Sequence, residues 1–198
     1  MILLVHSCDG REKFLDVWHQ SFDRWAKRQP DIASKIDILP IAGHDAFCDQ
    51  LIRVLKDLDC EYVWHILDDY WIVDECKQPF DRYYEIAQEY EVDALRIQPN
   101  VQFDSLPYHF TWEYGFMRQT NESSYQVSFA SSIWRREFLL KCLIPGLNPW
   151  EMEVSEMIND WDHKIYFWPK LPFWYINGTI KGELTKQGKE WLNTLKKA

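Results

Sequence analysis

The sequence predicts an α/β fold, in which residues 1–198 form one domain around a mostly parallel sheet with helices on both faces. Two observations carry this expectation. Short β-rich runs alternate with stretches of helical periodicity through the first half of the chain. A length of 198 residues, 46% of them apolar, also suffices for a single substantial core. No internal repeat, linker or low-complexity segment divides it.

The elements follow in order. Ile2 to His6 is a short strand ending in Ser7-Cys8-Asp9-Gly10, and Phe14, Trp18, Phe22 and Trp25 then recur at spacings of four, four and three, as on one face of a helix. Pro30 and Asp31 break that pattern before a second strand, Lys35 to Leu39, and a second helical stripe of Phe47, Leu51, Val54, Leu55 and Leu58. Glu61 to Leu67 is a third strand, rich in β-branched and aromatic residues and closed by Asp68-Asp69. Phe80, Tyr83, Ala87 and Tyr90 mark the next helix, and Ala94 to Ile97 the fourth strand. From Gln98 to Asn121 periodicity is lost, which reads as a long functional loop suited to an acceptor. A polar strand at Tyr125 to Phe129, an apolar helix at Ile133 to Leu143, a further helix after Trp150, a strand at Lys164 to Trp168, an Asn177-Gly178 turn and a terminal helix from Thr185 complete the chain.

Charge and motif content narrow the function. A formal charge of -9 repels phosphate backbones, and no long basic run offsets it, so nucleic acid is excluded as a partner. Apolar runs fall far short of the roughly 20 residues that span a bilayer, and no basic region precedes a long apolar one, so the expected location is the cytoplasm. Five scattered cysteines without CxxC spacing read as reduced core thiols. The P-loop, GxGxxG, GxSxG and HExxH signatures are absent. Six histidines show no paired ligand spacing, which points a catalytic metal toward oxygen ligands rather than zinc. The 11 Trp, 10 Tyr and 11 Phe are well above ordinary usage; they suit sugar faces, and equally suit core packing.

In open α/β sheets ligands sit beyond the carboxyl ends of strands, where Asp9 and Asp68-Asp69 both fall. Two adjacent carboxylates concentrate negative charge that a hard cation, Mn2+ or Mg2+, offsets; either side chain can instead cap the following helix in a plain turn. The string Tyr62-Val63-Trp64-His65-Ile66-Leu67-Asp68-Asp69-Tyr70-Trp71-Ile72 resembles the acidic motif of GT-A glycosyltransferases in its double-aspartate form. Ser128 to Phe138, Asn148 to Glu153 and Asn177 to Gly182 extend the resemblance to small bacterial proteins of polysaccharide and lipopolysaccharide clusters. It implies transfer of a sugar from a nucleotide-diphosphate donor to a glycan or lipid-linked acceptor. No transmembrane segment accompanies it, and peripheral membrane association is compatible with it.

The resemblance assigns Asp68 and Asp69 to the metal and Asp68 to the donor as well. It places Ser7, Asp9 and Arg11 at the nucleotide, with Asp49 and Arg53 as further base contacts unless they form a solvated helix face. Lys181 reaches a donor phosphate or is a surface lysine. Glu151 and Glu153 resemble the general base of inverting enzymes, or merely favour a helix N-terminus. If Val154, Met157, Ile158 and Trp161 form the buried stripe, Glu151 lies roughly 70° from its centre, Glu153 roughly 90° and Glu156 roughly 150°. That ordering selects Glu151. Two rivals stand beside transfer. One is a sugar-binding protein that keeps the scaffold without the chemistry, since 198 residues leave little room for an acceptor subdomain. The other is a phosphoacceptor signalling domain, against which Ala94-Leu95-Arg96-Ile97-Gln98 offers no Ser or Thr after the fourth strand.

Overall fold

The computed structural model describes residues 1–7, 12–42, 46–74, 80–97, 110–113, 116–119, 127–155, 163–167, 174–180 and 182–195. In chain order the elements are β1 (Ile2–His6), α1 (Glu12–Ala26), α2 (Pro30–Ala33), β2 (Asp37–Ile41), α3 (Phe47–Asp57), β3 (Tyr62–Leu67), β4 (Tyr70–Asp74), α4 (Phe80–Glu89) and β5 (Ala94–Arg96). The second half holds β6 (Phe110–Glu113), β7 (Phe116–Gln119), β8 (Ser132–Arg135), α5 (Arg136–Cys142), α6 (Pro149–Glu153), β9 (Ile165–Phe167), β10 (Trp174–Asn177), β11 (Thr179–Ile180), β12 (Glu183–Leu184) and α7 (Lys186–Leu195).

Among the described residues the central sheet has eight strands in the order β2-β1-β3-β8-β5-β9-β7-β6. Strands β1, β2, β3, β5, β9 and β6 run one way, and β8 and β7 run against them. Strand periodicity sends Leu3, Val5, Trp64 and Ile66 into an apolar cluster on one face, and Leu4 and Val63 into a second cluster on the other. The first cluster receives Phe14, Trp18, Phe22 and Trp25 of α1, the second Phe47, Leu51 and Leu55 of α3. Each fully buried aromatic or aliphatic side chain contributes on the order of 2 kcal/mol, which is why the helical stripes read from the sequence settle against the sheet.

Several segments differ from the sequence expectation, among them the expected strand at Tyr125 to Phe129, of which residues 127–129 are irregular backbone and the rest lies outside the described residues. The helix expected over Ile133 to Leu143 forms only from Arg136 on as α5; Ile133 to Arg135 belong to β8, which lies between β3 and β5 with Ile133 and Trp134 buried on opposite faces, a pattern that does not separate strand from helix. The 98–121 segment contains the β6–β7 hairpin, whose four-residue strands are too short to show a period. Helix α6 stops at Glu153; its buried residue is Met152, and Val154 is 48% exposed. The expected stripe beginning at Val154 therefore does not form the buried face of α6, and Met157, Ile158 and Trp161 lie outside the described residues.

The expected Asn177-Gly178 turn is the end of β10, which pairs antiparallel with β4 beside the main sheet. A Cβ on Gly178 would run into the Trp71 ring, and one on Gly188 into the Gly178 carbonyl, so α7 approaches β10 as backbone against backbone. Gly178→Ala is expected to cost about 2–3 kcal/mol through this overpacking, read as a lowered urea midpoint. An unchanged midpoint would contradict the packing.

Candidate functional site

The site begins at the carboxyl edge of the sheet. Strands β1 and β3 are parallel neighbours with His6 opposite Leu67, so the residues that follow them, Ser7 and Asp68, emerge side by side. The Ser7 hydroxyl donates to Asp68 Oδ2 at 2.7 Å, and Asp68 N donates to the His6 carbonyl at 3.1 Å. Asp68 is fully buried and Asp69 is 7% exposed.

Beside this pair lies a cleft of ≈ 330 Å³ lined by Ser7, Ala46, Phe47, Gln50, Gly146, Asn148, Pro149 and Glu151. Its outer wall is fixed by local chemistry legible in the sequence. Asn148-Pro149-Trp150-Glu151 forms a capping box: Glu151 N donates to Asn148 Oδ1 at 2.9 Å, and Asn148 N donates to Glu151 Oε2 at 3.0 Å. Asp49 accepts from Gly146 N at 2.9 Å, and Cys48 N donates to the Leu147 carbonyl at 3.2 Å, so α3 holds the loop that leads into α6.

Beneath Phe47, which lines the cleft, lies an aromatic and uncharged layer. His6 stacks on Phe47 with ring centroids 3.9 Å apart and meets His65 edge-on, and Phe129 packs against both Phe47 and His65. Burial lowers the His6 pKa to about 3, a hydrogen-bonding interaction with Gln50 that favours the protonated ring only partly opposing it. Burial, and then the neighbouring His6, push His65 down as well. His6 and His65 are thus neutral packing groups.

Glu153 occupies the same edge. The 127–131 segment enters β8, whose Ser132 lies opposite His65 on one side and Arg96 on the other, and Glu153 Oε1 accepts from Phe129 N at 2.7 Å. Burial raises the Glu153 pKa above the usual carboxylate value, outweighing the hydrogen bonds from Phe129 N–H and Ser128 and the attraction of Arg96. Arg96 is itself fully buried, with its guanidinium over the Phe167 ring at 4.8 Å.

Of the residues singled out from the sequence, Ser7, Asp68, Asp69, Glu151 and Glu153 thus share the carboxyl edge of the sheet, and Ser7 and Glu151 line one cleft. Asp49 turns to the 144–148 loop, and Arg53 is exposed one turn further along α3. Asp9, Arg11 and Lys181 lie outside the described residues. Sequence reasoning passed over Gln50, Asn148 and Arg96; of these only Asn148 carries a local signal, its capping box. Among the described residues no group of three or more His, Cys, Asp or Glu forms a metal cage, and no helix is long and apolar enough to cross a membrane. Cys48 and Cys142 are buried free thiols with pKa values pushed up to about 12 by burial, as expected of inert core cysteines.

Solved structures share this architecture. HddC from Yersinia pseudotuberculosis superposes with a TM-score of 0.55 at 9% identity, over 98% of this chain and 98% of its own. An apo UDP-glucose pyrophosphorylase gives 0.54 at 13% identity, over 99% of this chain and 81% of its own. S. aureus TarS 1-349 gives 0.54 at 15% identity over 88% of this chain, which spans 59% of the TarS chain. The fold is GT-A-like. At these identities the likeness is one of fold. No family model matches the chain, and no curated protein matches it significantly.

Proposed function

We propose that the chain is a GT-A-type glycosyltransferase that moves a sugar from a nucleotide-diphosphate donor to a glycan or lipid-linked acceptor. The observation that carries this reading is the Ser7–Asp68 hydrogen bond, which joins two strand ends and sets the Asp68-Asp69 pair beside the cleft of ≈ 330 Å³. A UDP-glucose pyrophosphorylase of the same fold is also known in complex with UDP-glucose, with a TM-score of 0.53 at 14% identity over all of this chain.

The donor set at the pair is all oxygen, which fits Mn2+ or Mg2+. Asp68 and Asp69 would hold such a cation together, Asp69 as the more exposed carboxylate and Asp68 as the one fixed by Ser7. Two carboxylates would leave room around such a cation for water and phosphate oxygens, the usual arrangement for Mg2+ at phosphate substrates. Such a cation supplies neutralisation of the charge that builds on the departing diphosphate. Ser7, Gln50 and Asn148 offer hydroxyl and carboxamide groups to the nucleoside in the cleft. Asp9, Arg11, Arg53 and Lys181 remain candidates for the donor, whereas Asp49 supports the cleft wall through Gly146.

Between the two candidate bases the roles divide. Both carboxylates carry structural hydrogen bonds, Glu151 from Asn148 N and Glu153 from Phe129 N and Ser128; Glu153, whose pKa burial raises, is the one we assign as proton acceptor from an acceptor hydroxyl. Glu153→Gln keeps an acceptor for Phe129 N and is expected to lower kcat by about 10²-fold or more with little change in melting temperature. Glu151→Gln keeps the capping-box acceptor for Asn148 N and is expected to change stability and activity little. Full activity in Glu153→Gln would remove it from the chemistry.

Turnover of a panel of sugar nucleotides by the purified protein with Mn2+ tests the whole reading. Release of nucleoside diphosphate supports transfer. Consumption of sugar 1-phosphate with a nucleoside triphosphate would favour nucleotidyl transfer, and Asp69-dependent donor binding without turnover would favour a binding protein.

A further inference from the structure

The acidic pair is held from a part of the chain more than a hundred residues away. Trp71 Nε1 donates to the Asp68 carbonyl at 3.0 Å, inside the core, and Gly178 N donates to the Asp69 carbonyl at 2.7 Å. Both backbone oxygens of the pair are therefore occupied, and the two peptide planes that set the Cα–Cβ directions of the carboxylates are fixed. With Asp68 further tied to Ser7, little freedom remains in the turn.

The contacts behind these two donors form one layered stack. Trp71 is fully buried between Phe14, 6.4 Å away, and Trp191 of α7, 5.6 Å away. Gly178 lies directly on the Trp71 ring, and only a glycine permits that approach. Thr185 holds Gly178 in turn: its N–H donates to the Gly178 carbonyl at 3.0 Å, and its hydroxyl donates to the Asn177 carbonyl at 2.9 Å. The same hydroxyl accepts from Gly188 N at 2.9 Å in the first turn of α7.

We propose that Trp71 and Gly178, braced by Thr185 and α7, form a backbone clamp that positions Asp68-Asp69 for its cation, which makes Trp71 a positioning residue of the site. The proposal rests on the reading that this pair holds a divalent cation. A clamp of this kind acts by preorganisation: the carboxylates need not be brought together when the cation arrives, so weakening the clamp raises the dissociation constant without removing a ligand.

The test is calorimetric titration of Mn2+ into the full chain, run beside thermal melting. Trp71→Phe keeps a ring against Gly178 and removes only the Nε1–H donor. Thr185→Val keeps the side-chain shape and removes the hydroxyl, remote from the carboxylates. Loss of one buried hydrogen bond is expected to raise the Mn2+ dissociation constant about five-fold in Trp71→Phe and less in Thr185→Val, with Asp69→Asn as the reference for complete loss. A purely structural role would lower the melting temperature and leave the affinity of the folded protein unchanged. If the wild type binds Mn2+ through Asp69 and both variants bind it equally well, the clamp is overturned and the site reading stands. If the wild type shows no Asp69-dependent binding, both are overturned. Should Trp71→Phe fail to fold, Thr185→Val decides alone, because an unchanged affinity there refutes the bracing from α7.

Discussion

Asp69→Asn is expected to abolish the manganese-dependent rise in melting temperature and to lower turnover by on the order of 10²–10³-fold, the usual scale for deleting one group that stabilises transition-state charge. The substitution preserves size and one acceptor oxygen, so the fold is not at risk. In the metal-free protein it is expected to leave stability unchanged or raise it slightly, because one of two adjacent carboxylates loses its charge and the repulsion between them falls. This opposite movement is diagnostic: a residue kept for packing lowers stability when altered, whereas a residue kept for a charged ligand frequently raises it. Asp68→Asn differs, since Asp68 is fully buried and accepts from the Ser7 hydroxyl. It is expected to lose both stability and binding. Melting curves of the two variants with and without Mn2+ check the distinction, and a full manganese response in Asp69→Asn would sink the metal assignment.

The parts of this site that were legible in the sequence are those encoded by near neighbours. The β-rich strand ending in Asp68-Asp69 and the apolar stripes of α1 and α3 each depend on residues within a few positions of one another. The parts that were not legible depend on pairing across the chain. Nothing local to Ile133 tells that it lies opposite both Trp64 and Leu95, which makes its segment a strand. Nothing local to Gly178 tells that it rests on Trp71, so its pairing with Asn177 suggested an ordinary turn. The angular ordering of Glu151 and Glu153 lost its premise for a related reason. The angular reckoning assumed that the helix continued past Val154, but α6 ends at Glu153, and what directs Glu153 inward is a hydrogen bond to Phe129.

Acid is expected to weaken the fold well before its carboxylates are neutralised, because of the histidine layer beneath the cleft. His6 titrates near 6.5 in the unfolded chain and at about 3 when folded, so between these values the unfolded state binds a proton that the native state refuses. The stability this provides is fully present above pH 6.5 and is lost as the pH falls toward 3, at about 1.4 kcal/mol per pH unit for one such group. At pH 5 the loss from His6 alone is about 2 kcal/mol. His65, buried against His6 and lowered in the same direction, steepens the slope. Glu153 acts oppositely: its folded pKa is raised, so its contribution favours the native state as the pH falls through that range and offsets part of the loss. Urea unfolding followed by tryptophan fluorescence at pH 7, 6 and 5 measures the sum. In the double variant His6→Phe with His65→Phe, rings remain available to Phe47 and Phe129 while both titrating groups are gone, so the pH dependence over this interval should flatten. An equal slope in wild type and variant would place the acid sensitivity elsewhere. A flattened slope would establish that the layer beneath the cleft is neutral at working pH, leaving the negative charge of Asp68-Asp69 to be balanced from outside the histidine cluster.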